Sequence, residues 1–237
     1  MDQIKELYHE HNGAHGYRMI CDLLNRKGIK CSYGTVYSYM REMGIKAIVR
    51  RKKQPYKKGY QHHIFDNILG QDFAPDKPNQ IWCTDFTYLY LKNGAKRYNC
   101  SIIDLYDRSI VASLNSKWID AKLAVKTMEI ALASNNTTED LVLHTDQGAQ
   151  FASREFINFC KDNNVIQSMS RAGNPYDNAP MERFYNTMKT EFIYHYRFET
   201  DADLNQGIYE YIFDWYNHRR PHTYNNGKTP FEKRNSN

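Results

Sequence analysis

The order of strand-like and helix-like segments after Gln80 constrains the fold of this chain most strongly. Three segments rich in aromatic and β-branched residues come first, and a turn at Asn93-Gly94 joins two of them: IWCTDFTYLYL, RYNCSIIDLY and RSIVASLNS. Helical patterns then alternate with short apolar segments: DAKLAVKTMEIALAS, LVLHT, SREFINFCKDN and VIQSM. This order predicts a mixed five-stranded sheet with helices on both faces.

That arrangement is the ribonuclease H-like one, which belongs to the α/β class. A loop, SRAGNPYDNAP, leads into two more helical patterns, MERFYNTMKTEFIYH and ADLNQGIYEYIFDWYNHR. We therefore expect residues 79–237 to form one α/β core that ends in C-terminal helices.

Residues 1–45 carry a separate helical pattern. A first helix with apolar residues at helical spacing ends at Gly28, and Ser32 is the expected N-cap of a second helix. Two short helices with a short connection describe a helix-turn-helix unit, although a helical hairpin that serves only packing has the same spacing. In the first case the second helix would enter the major groove, and these residues would read it: Tyr33, Thr35, Ser38, Tyr39 and Arg41.

A basic segment follows this unit. Residues 46–58 contain seven Lys and Arg residues and no acid, which exceeds the net charge of +5 of the whole chain. Such a local excess is typical of a DNA-backbone contact, and equally of a solvated linker. We expect residues 46–78 to form a basic linker whose DNA-contact residues are Arg50, Arg51, Lys52 and Lys53.

Composition excludes several other classes of protein. The five cysteines are scattered and odd in number, and no CxxC pair occurs, so neither a disulfide framework nor a zinc knuckle is indicated. No apolar run approaches the length of a membrane span, and MDQIKELYHEH is too polar for a secretory signal. We expect a cytoplasmic protein that associates with the nucleoid when it is bound to DNA.

Two aspartates occupy unusual positions in the strand segments. Asp85 lies inside the first strand, where an unpaired carboxylate would be costly to bury, and Asp146 directly follows the fourth. Asp146 can simply form a turn with Gly148, or it can bind a ligand beyond the strand end. Because the first and fourth strands are neighbours in the expected sheet, the two carboxylates can converge.

A divalent metal site with open positions generally needs a third acid. Glu182 is the best placed, because its helix begins near Asn178 and puts it at the edge of the buried stripe. Lys189 follows two turns later on the same edge. The alternative is an ordinary solvated helix edge. The other acids considered after Asp146 are Glu155, Asp162, Asp177 and Glu191.

Several blocks of the chain resemble the catalytic subunit of the insertion sequence three family of transposases, which is similar to retroviral integrases. The resemblance spans nearly the whole chain and rests on WCTDFTYL, IIDLYDR, LVLHTDQGAQFAS, SMSRAGNPYDNAPMERFYNTMKTE and YNHRRPHTYNNGKTPFE. The 35 residues between Asp146 and Glu182 match the spacing of the acidic triad of that family. Two departures stand out: Arg183 replaces a commonly small residue, and HTYNNGKTP lacks a frequent leucine-glycine pair.

The resemblance implies a DNA transposase that cuts and joins strands at the ends of an insertion sequence. Asp85, Asp146 and Glu182 would hold two Mg²⁺ or Mn²⁺ ions, which suits hard oxygen ligands and an in-line displacement. Water attacks first and frees a 3′-hydroxyl, which then attacks another phosphodiester. The weaker assignments are DNA contact by Lys189, Asn178, Arg219 and Arg220, and support of the site by His144 and Gly148.

The expected partners are DNA, further copies of the chain on that DNA, and an upstream DNA-binding subunit or fused segment. Three other readings stay open at this point. A tyrosine recombinase would suit the 19 tyrosines, but no Arg-His-Arg framework is identifiable. A nuclease of the same fold would only hydrolyse DNA. A non-catalytic DNA-binding regulator would retain the acids as remnants.

Overall fold

The computed structural model describes residues 1–48, 65–70, 72–137, 140–171 and 175–236, and it describes no side chain for residues 175 and 176. Arg50, Arg51, Lys52 and Lys53 lie outside the described residues. Their assignment to DNA contact therefore stays a prediction, as does the linker of residues 46–78.

The five expected strands form one mixed sheet in the order β3-β2-β1-β4-β5. The first three are antiparallel, while β1–β4 and β4–β5 pair in parallel. Their bounds are β1 Ile81–Tyr90, β2 Lys96–Asp104, β3 Ile110–Ser116, β4 Val142–Thr145 and β5 Ile166–Met169. The α/β fold class is confirmed, and so is the adjacency of the first and fourth strands.

Helices cover both faces of the sheet, as the alternation of strand and helix segments in the sequence predicted. On one face, α4 (Ala121–Ser134) and α5 (Arg154–Asp162) pack against a core that includes Trp82 and Leu143. On the other face, α6 (Ala179–Glu191) packs against a core that includes Cys83. Odd-numbered residues of β1 therefore face α6, and even-numbered residues face α4 and α5.

The C-terminal helices begin where they were expected, but their geometry differs from a plain α-helix. α7 (Asp201–Tyr209) starts at a capping box on Thr200 and continues as a π-helix over Glu210–Arg219. α6 ends at Glu191, earlier than the pattern predicted, and a 3₁₀ turn follows at Ile193–His195. α8 (Pro230–Arg234) closes the described chain with a second capping box on Thr229.

Three helices form the N-terminal unit: α1 (Asp2–Glu10), α2 (Tyr17–Arg26) and α3 (Tyr33–Glu42). The N-cap prediction is confirmed, because the Ser32 hydroxyl accepts a hydrogen bond from the Thr35 amide at 3.1 Å. α1 was not predicted from the sequence. Its Ile4 and Leu7 complete the small core of this unit.

The N-terminal unit contacts the α/β core. Trp215 of the π-helix packs against the core of the unit, with ring-centroid distances of 4.6 Å to His11 and 5.9 Å to His15. Arg26 of α2 also pairs with Glu232 of α8. None of the helices in the described part of the chain combines the length and the apolar character that a bilayer crossing requires.

Candidate active site

Asp85 and Asp146 are neighbours across two parallel strands. The β1–β4 register pairs Ile81 with Val142 and Cys83 with His144. Continued by two residues, this register sets Asp85 beside Asp146, and adjacent strands lie about 4.8 Å apart. The burial of Leu143 among the α4 and α5 side chains leaves His144, and by alternation Asp146, on the α6 face with Asp85.

The electrostatic surroundings agree with this placement. Cys100 of β2 lies opposite Phe86, one residue beyond Asp85. Burial raises the pKa of the Cys100 thiol to about 12, and the negative charges of Asp85 and Asp146 both add to the rise. Both carboxylates therefore lie close enough to act on the same thiol.

Asp146 occupies a tight turn at the end of β4. Its Oδ1 accepts a hydrogen bond from the Gly148 amide at 2.9 Å. A Cβ atom on residue 148 would lie 2.8 Å from the same oxygen, so a side chain at this position would displace the Asp146 carboxylate. Burial raises the pKa of Asp146, and the Gly148 hydrogen bond only partly opposes the rise. Turn and ligand site are thus compatible here.

α6 is fixed against β1 by two hydrogen bonds on either side of Glu182. The side-chain amide of Asn178 donates a hydrogen bond to the Thr84 carbonyl at 3.2 Å. The Tyr185 hydroxyl donates one to the Asp85 carbonyl at 2.7 Å. Asn178, Glu182 and Tyr185 lie four and three residues apart, which places them on one side of the helix. Glu182 is half-buried on the side of α6 that faces Asp85.

Tyr185 was not identified from the sequence, where it reads as one more aromatic residue of the buried stripe. Its hydroxyl also accepts a hydrogen bond from the Ser101 amide at 3.0 Å, so it links α6 to β1 and β2. Its position seven residues after Asn178 is the only sequence signal that could have indicated this contact. The hydrogen bonds themselves depend on how α6 docks.

The other acids that were considered for the third position are engaged or located elsewhere. Asp177 is buried and pairs with the Arg171 guanidinium at 3.1 Å. Glu191 is buried in a pair with Arg220 at 2.7 Å. Glu155 and Asp162 are exposed on α5, which covers the opposite face of the sheet. Of the acids that were considered, Glu182 remains the candidate for the third position.

Among the described residues, no three His, Cys, Asp or Glu side chains are arranged to hold a metal. The backbone positions of Asp85 and Asp146 are set by strand pairing, and that of Glu182 by the hydrogen bonds of α6.

Both ring nitrogens of His144 are engaged in hydrogen bonds with neighbouring side chains. Its two ring nitrogens contact the hydroxyls of Ser168 and Ser170 at 2.9 and 3.0 Å. Burial lowers the pKa of His144 to about 4, so the ring is neutral near pH 7. These contacts hold β4 against β5, and they favour a structural role over direct support of a ligand.

The remaining predicted DNA-contact residues fall into two groups. Lys189 is half-buried on the same side of α6 as Glu182, which keeps the predicted alignment. Arg219 is exposed and pairs with Asp214 at 2.9 Å. Arg220, in contrast, is mostly buried and makes a bidentate ion pair with Glu191. This pair favours the structural interpretation of Arg220 over phosphate contact.

The proposed reading helix presents a polar and aromatic surface. All five residues that were expected to face DNA are exposed on α3 or directly at its start: Tyr33, Thr35, Ser38, Tyr39 and Arg41. Its buried side consists of Val36 and Met40. This division of faces is the one that a recognition helix needs.

Comparison with known proteins agrees with this geometry. Residues 75–175 and 163–230 match two families described as integrase core domains, and residues 1–53 match an HTH-like domain. The transposase for insertion sequence element IS904 of Lactococcus lactis is 36% identical over 99% of this chain and 94% of its own length. The chain belongs to the insertion-sequence transposase family.

Two further members of the transposase family are also similar over nearly the whole chain. The protein InsK of insertion sequence element IS150 in Escherichia coli is 34% identical over 98% of this chain and 82% of its own length. The transposase InsF of insertion sequence IS3A in Escherichia coli is 31% identical over 94% and 77%. The resemblance found in the sequence blocks is confirmed.

Solved structures confirm the integrase-like fold of this transposase. The intasome of simian T-cell lymphotropic virus, in complex with a regulatory subunit of PP2A, matches with a TM-score of 0.58 at 18% identity. That match covers 99% of this chain and 75% of the other. The HTLV-2 integrase catalytic core in complex with magnesium matches with a TM-score of 0.52 at 18% identity, over 67% and 98%.

Proposed function

We propose that this transposase cleaves DNA at the ends of an insertion sequence and joins the resulting ends to a target. The observation that carries the proposal is the relation of three carboxylates. The β1–β4 register, continued two residues beyond Cys83 and His144, would bring Asp85 beside Asp146. Two hydrogen bonds from α6 flank Glu182 and support its place on the same face. Three acids from three elements at one sheet end suit phosphoryl-transfer chemistry with divalent cations.

The chemistry of these donors fits Mg²⁺ or Mn²⁺. All three supply carboxylate oxygens, which hard divalent cations prefer, and all three are half-buried, so part of each side chain is accessible. The raised pKa of Asp146 shows that burial disfavours its charge, which a cation would offset. Two ions held by Asp85, Asp146 and Glu182 would activate the attacking oxygen and stabilise the leaving oxygen of an in-line displacement.

The protein groups around the carboxylates position the reactants. Asn178 and Tyr185 fix α6, and with it Glu182, relative to the Asp85 strand. Lys189, on the same side of α6, is placed to contact a phosphate of the bound strand. Gly148 permits the turn that orients Asp146. With the strand ends aligned in this way, water would free a 3′-hydroxyl, and that hydroxyl would attack a target phosphodiester.

Recognition of DNA would involve the N-terminal unit. Its α3 exposes the residues expected in a major groove, and Ser32 fixes the start of that helix. We expect several copies of the chain to act together on paired ends, with an upstream DNA-binding subunit or fused segment adding end specificity. An enzyme of this kind would work in the bacterial cytoplasm, at the nucleoid.

The proposal is tested by joining of a radiolabelled element end to a target plasmid in the presence of Mg²⁺. Asp85→Asn, Asp146→Asn and Glu182→Gln should each abolish joining, while circular dichroism shows an intact fold. Glu155→Gln is the matched control, because Glu155 is an exposed acid on the opposite face of the sheet. Joining at the wild-type rate by Asp146→Asn would show that the mechanism is wrong.

The same assay separates the other candidate activities. Release of a nicked product without joining would indicate a nuclease that only hydrolyses. A covalent phosphotyrosyl product that forms in EDTA would indicate a tyrosine recombinase. DNA binding without any nicking, both with and without the upstream partner, would indicate a non-catalytic regulator.

A further inference from the structure

A cavity of about 330 Å³ lies beside α6, next to the side that carries Glu182. Ala179, Pro180, Arg183 and Thr187 of α6 line one wall. Successive helical residues point about 100° apart, so Arg183 opens into this cavity while Glu182 faces β1. The opposite wall comes from the β2–β3 connection and the C-terminal segment, and includes Arg108, Tyr216, His222 and Tyr224.

Arg108 is built rigidly into this wall. Its backbone is left-handed, with φ at 65°, and its Nη2 donates to the Phe73 carbonyl at 2.9 Å. Its guanidinium carbon lies 3.8 Å from the centroid of the Tyr224 ring, so the group is stacked as well as hydrogen-bonded. The guanidinium is thus held in one orientation before any ligand arrives.

One donor group of Arg108 is not satisfied by the protein. Within the described residues, Nη1 is buried and has no hydrogen-bond partner. Burial lowers the pKa of Arg108, and the positive charge of Arg183 lowers it further. A buried donor with an unmade hydrogen bond is costly, and it is costlier beside a like charge. An anion in the cavity would offset the repulsion between the charges of Arg108 and Arg183.

The charge of the cavity wall is one-sided. Three arginines line it, Arg108, Arg183 and Arg220. Among the residues that the structure describes, only Arg220 pairs with an acid, Glu191. None of the described residues that line the cavity is acidic. Two guanidinium groups that converge without a carboxylate suit an oxyanion, because the planar fork matches the spacing of phosphate oxygens.

We propose that this cavity binds a phosphate of the DNA strand, outside the carboxylate site. The inference rests on the proposed function, which brings a DNA strand to Glu182. An α-helix with side chains is about 10 Å across, so the two sites lie within a few nucleotides of each other along a strand. Arg183 gives this chain a phosphate contact on the flank of α6.

The first test uses inorganic phosphate as the probe and thermal unfolding as the measurement. At tenfold the dissociation constant, phosphate should raise the Tm of the wild type by about 4 °C beyond chloride of equal ionic strength. Arg183→Gln and Arg108→Lys should each lose most of this rise. Arg197→Gln removes an exposed arginine outside the cavity and should keep it, which also corrects for general salt stabilisation.

The second test measures DNA affinity without catalysis. A fluorescent duplex of arbitrary sequence is titrated in EDTA at several salt concentrations. Arg183→Gln should reduce the slope of log K against log salt by about 0.9, the loss of one phosphate contact, while Arg197→Gln leaves the slope unchanged. Because no cleavage is needed, this outcome is independent of whether the three carboxylates are catalytic.

The proposal is overturned if Arg183→Gln keeps the wild-type salt slope, or if Arg197→Gln reduces the slope equally. It is also overturned if phosphate stabilises both cavity variants as strongly as the wild type. A phosphate-dependent rise in Tm without any change in the DNA slope would show a site for a small anion only, which contradicts binding of a DNA phosphate.

Discussion

The hydroxyl of Tyr185 donates a hydrogen bond to the main-chain carbonyl of Asp85 across 2.7 Å. The Tyr185 hydroxyl oxygen also accepts a hydrogen bond from the Ser101 backbone amide at 3.0 Å, so this one side chain connects α6 to two strands. Burial raises the pKa of Tyr185 well above its usual value, which keeps the hydroxyl protonated as a donor. The position of Glu182 is therefore tied to the strand that carries Asp85.

Tyr185→Phe should weaken both the fold and the reaction. Removing the hydroxyl leaves the buried Ser101 amide without this acceptor, which should cost about 1–3 kcal/mol in the free energy of unfolding. A small shift of α6 should slow strand joining between about ten- and a hundredfold. Urea unfolding and single-turnover joining measure the two effects. Tyr209→Phe, at an exposed tyrosine, is the control, and equal behaviour of the two variants would refute the link.

Gly148→Ala should damage the site more than the fold. The added methyl group would lie 2.8 Å from Asp146 Oδ1 and 3.1 Å from Gln150 Oε1, so the carboxylate must move. We expect joining to fall at least tenfold, with a loss in unfolding free energy of about 1–3 kcal/mol. Gly34→Ala in α3 meets nothing closer than 3.8 Å and should stabilise by about 0.5–1 kcal/mol. If Gly148→Ala joined DNA ends at the wild-type rate, the close approach of residue 148 to the Asp146 carboxylate would not matter for the reaction.

Acid should destabilise this protein through buried histidines. Burial lowers the pKa of His144 from 6.5 to about 4, so the folded state favours the neutral ring. The stability that His144 contributes is complete above pH 6.5 and is lost as the pH falls from 6.5 to about 4. The loss is on the order of 3 kcal/mol. Urea unfolding at pH 7, 5 and 4 measures it.

The control for this pH effect uses two substitutions. His144→Gln should show a flatter dependence over that range, because the titrating ring is gone, although His15 and His222, whose pKa values are also lowered by burial, retain part of it. His9→Gln, at an exposed histidine, should behave as the wild type does. If His144→Gln retains the full wild-type slope, the assignment to His144 fails.

Trp215→Ala should loosen the N-terminal unit from the core. The indole stacks on His11 and His15, whereas the Arg26–Glu232 pair is partly exposed. We expect Trp215→Ala to cost about 2 kcal/mol and to speed amide exchange in α2, and Arg26→Gln to cost less than about 1 kcal/mol. Exchange followed by mass spectrometry measures both. Unchanged exchange in Trp215→Ala would mean that the contact does not hold the unit.

The sequence determined the elements and their order. Alternating aromatic and β-branched residues specified β1 to β3, and Ser32 specified the start of α3, because these signals lie within a few neighbouring residues. The element order then made β1 and β4 neighbours, which brought Asp85 to Asp146. The choice of Glu182 as the third acid rested on its helical phase and on the resemblance to the transposase family, and it stays a prediction.

Tertiary structure alone decided which side chains meet across long stretches of chain. The sequence left Arg220 equally compatible with a phosphate contact and with an exposed helix end, and only the fold showed that it pairs with Glu191, 29 residues earlier. The contacts of Tyr185 with β1, of Trp215 with the N-terminal unit, and of Arg183 with the cavity of Arg108 arise in the same way. Local periodicity determines the direction in which a side chain points from its own helix or strand. The partner it meets depends on packing between elements, which no short window of sequence encodes.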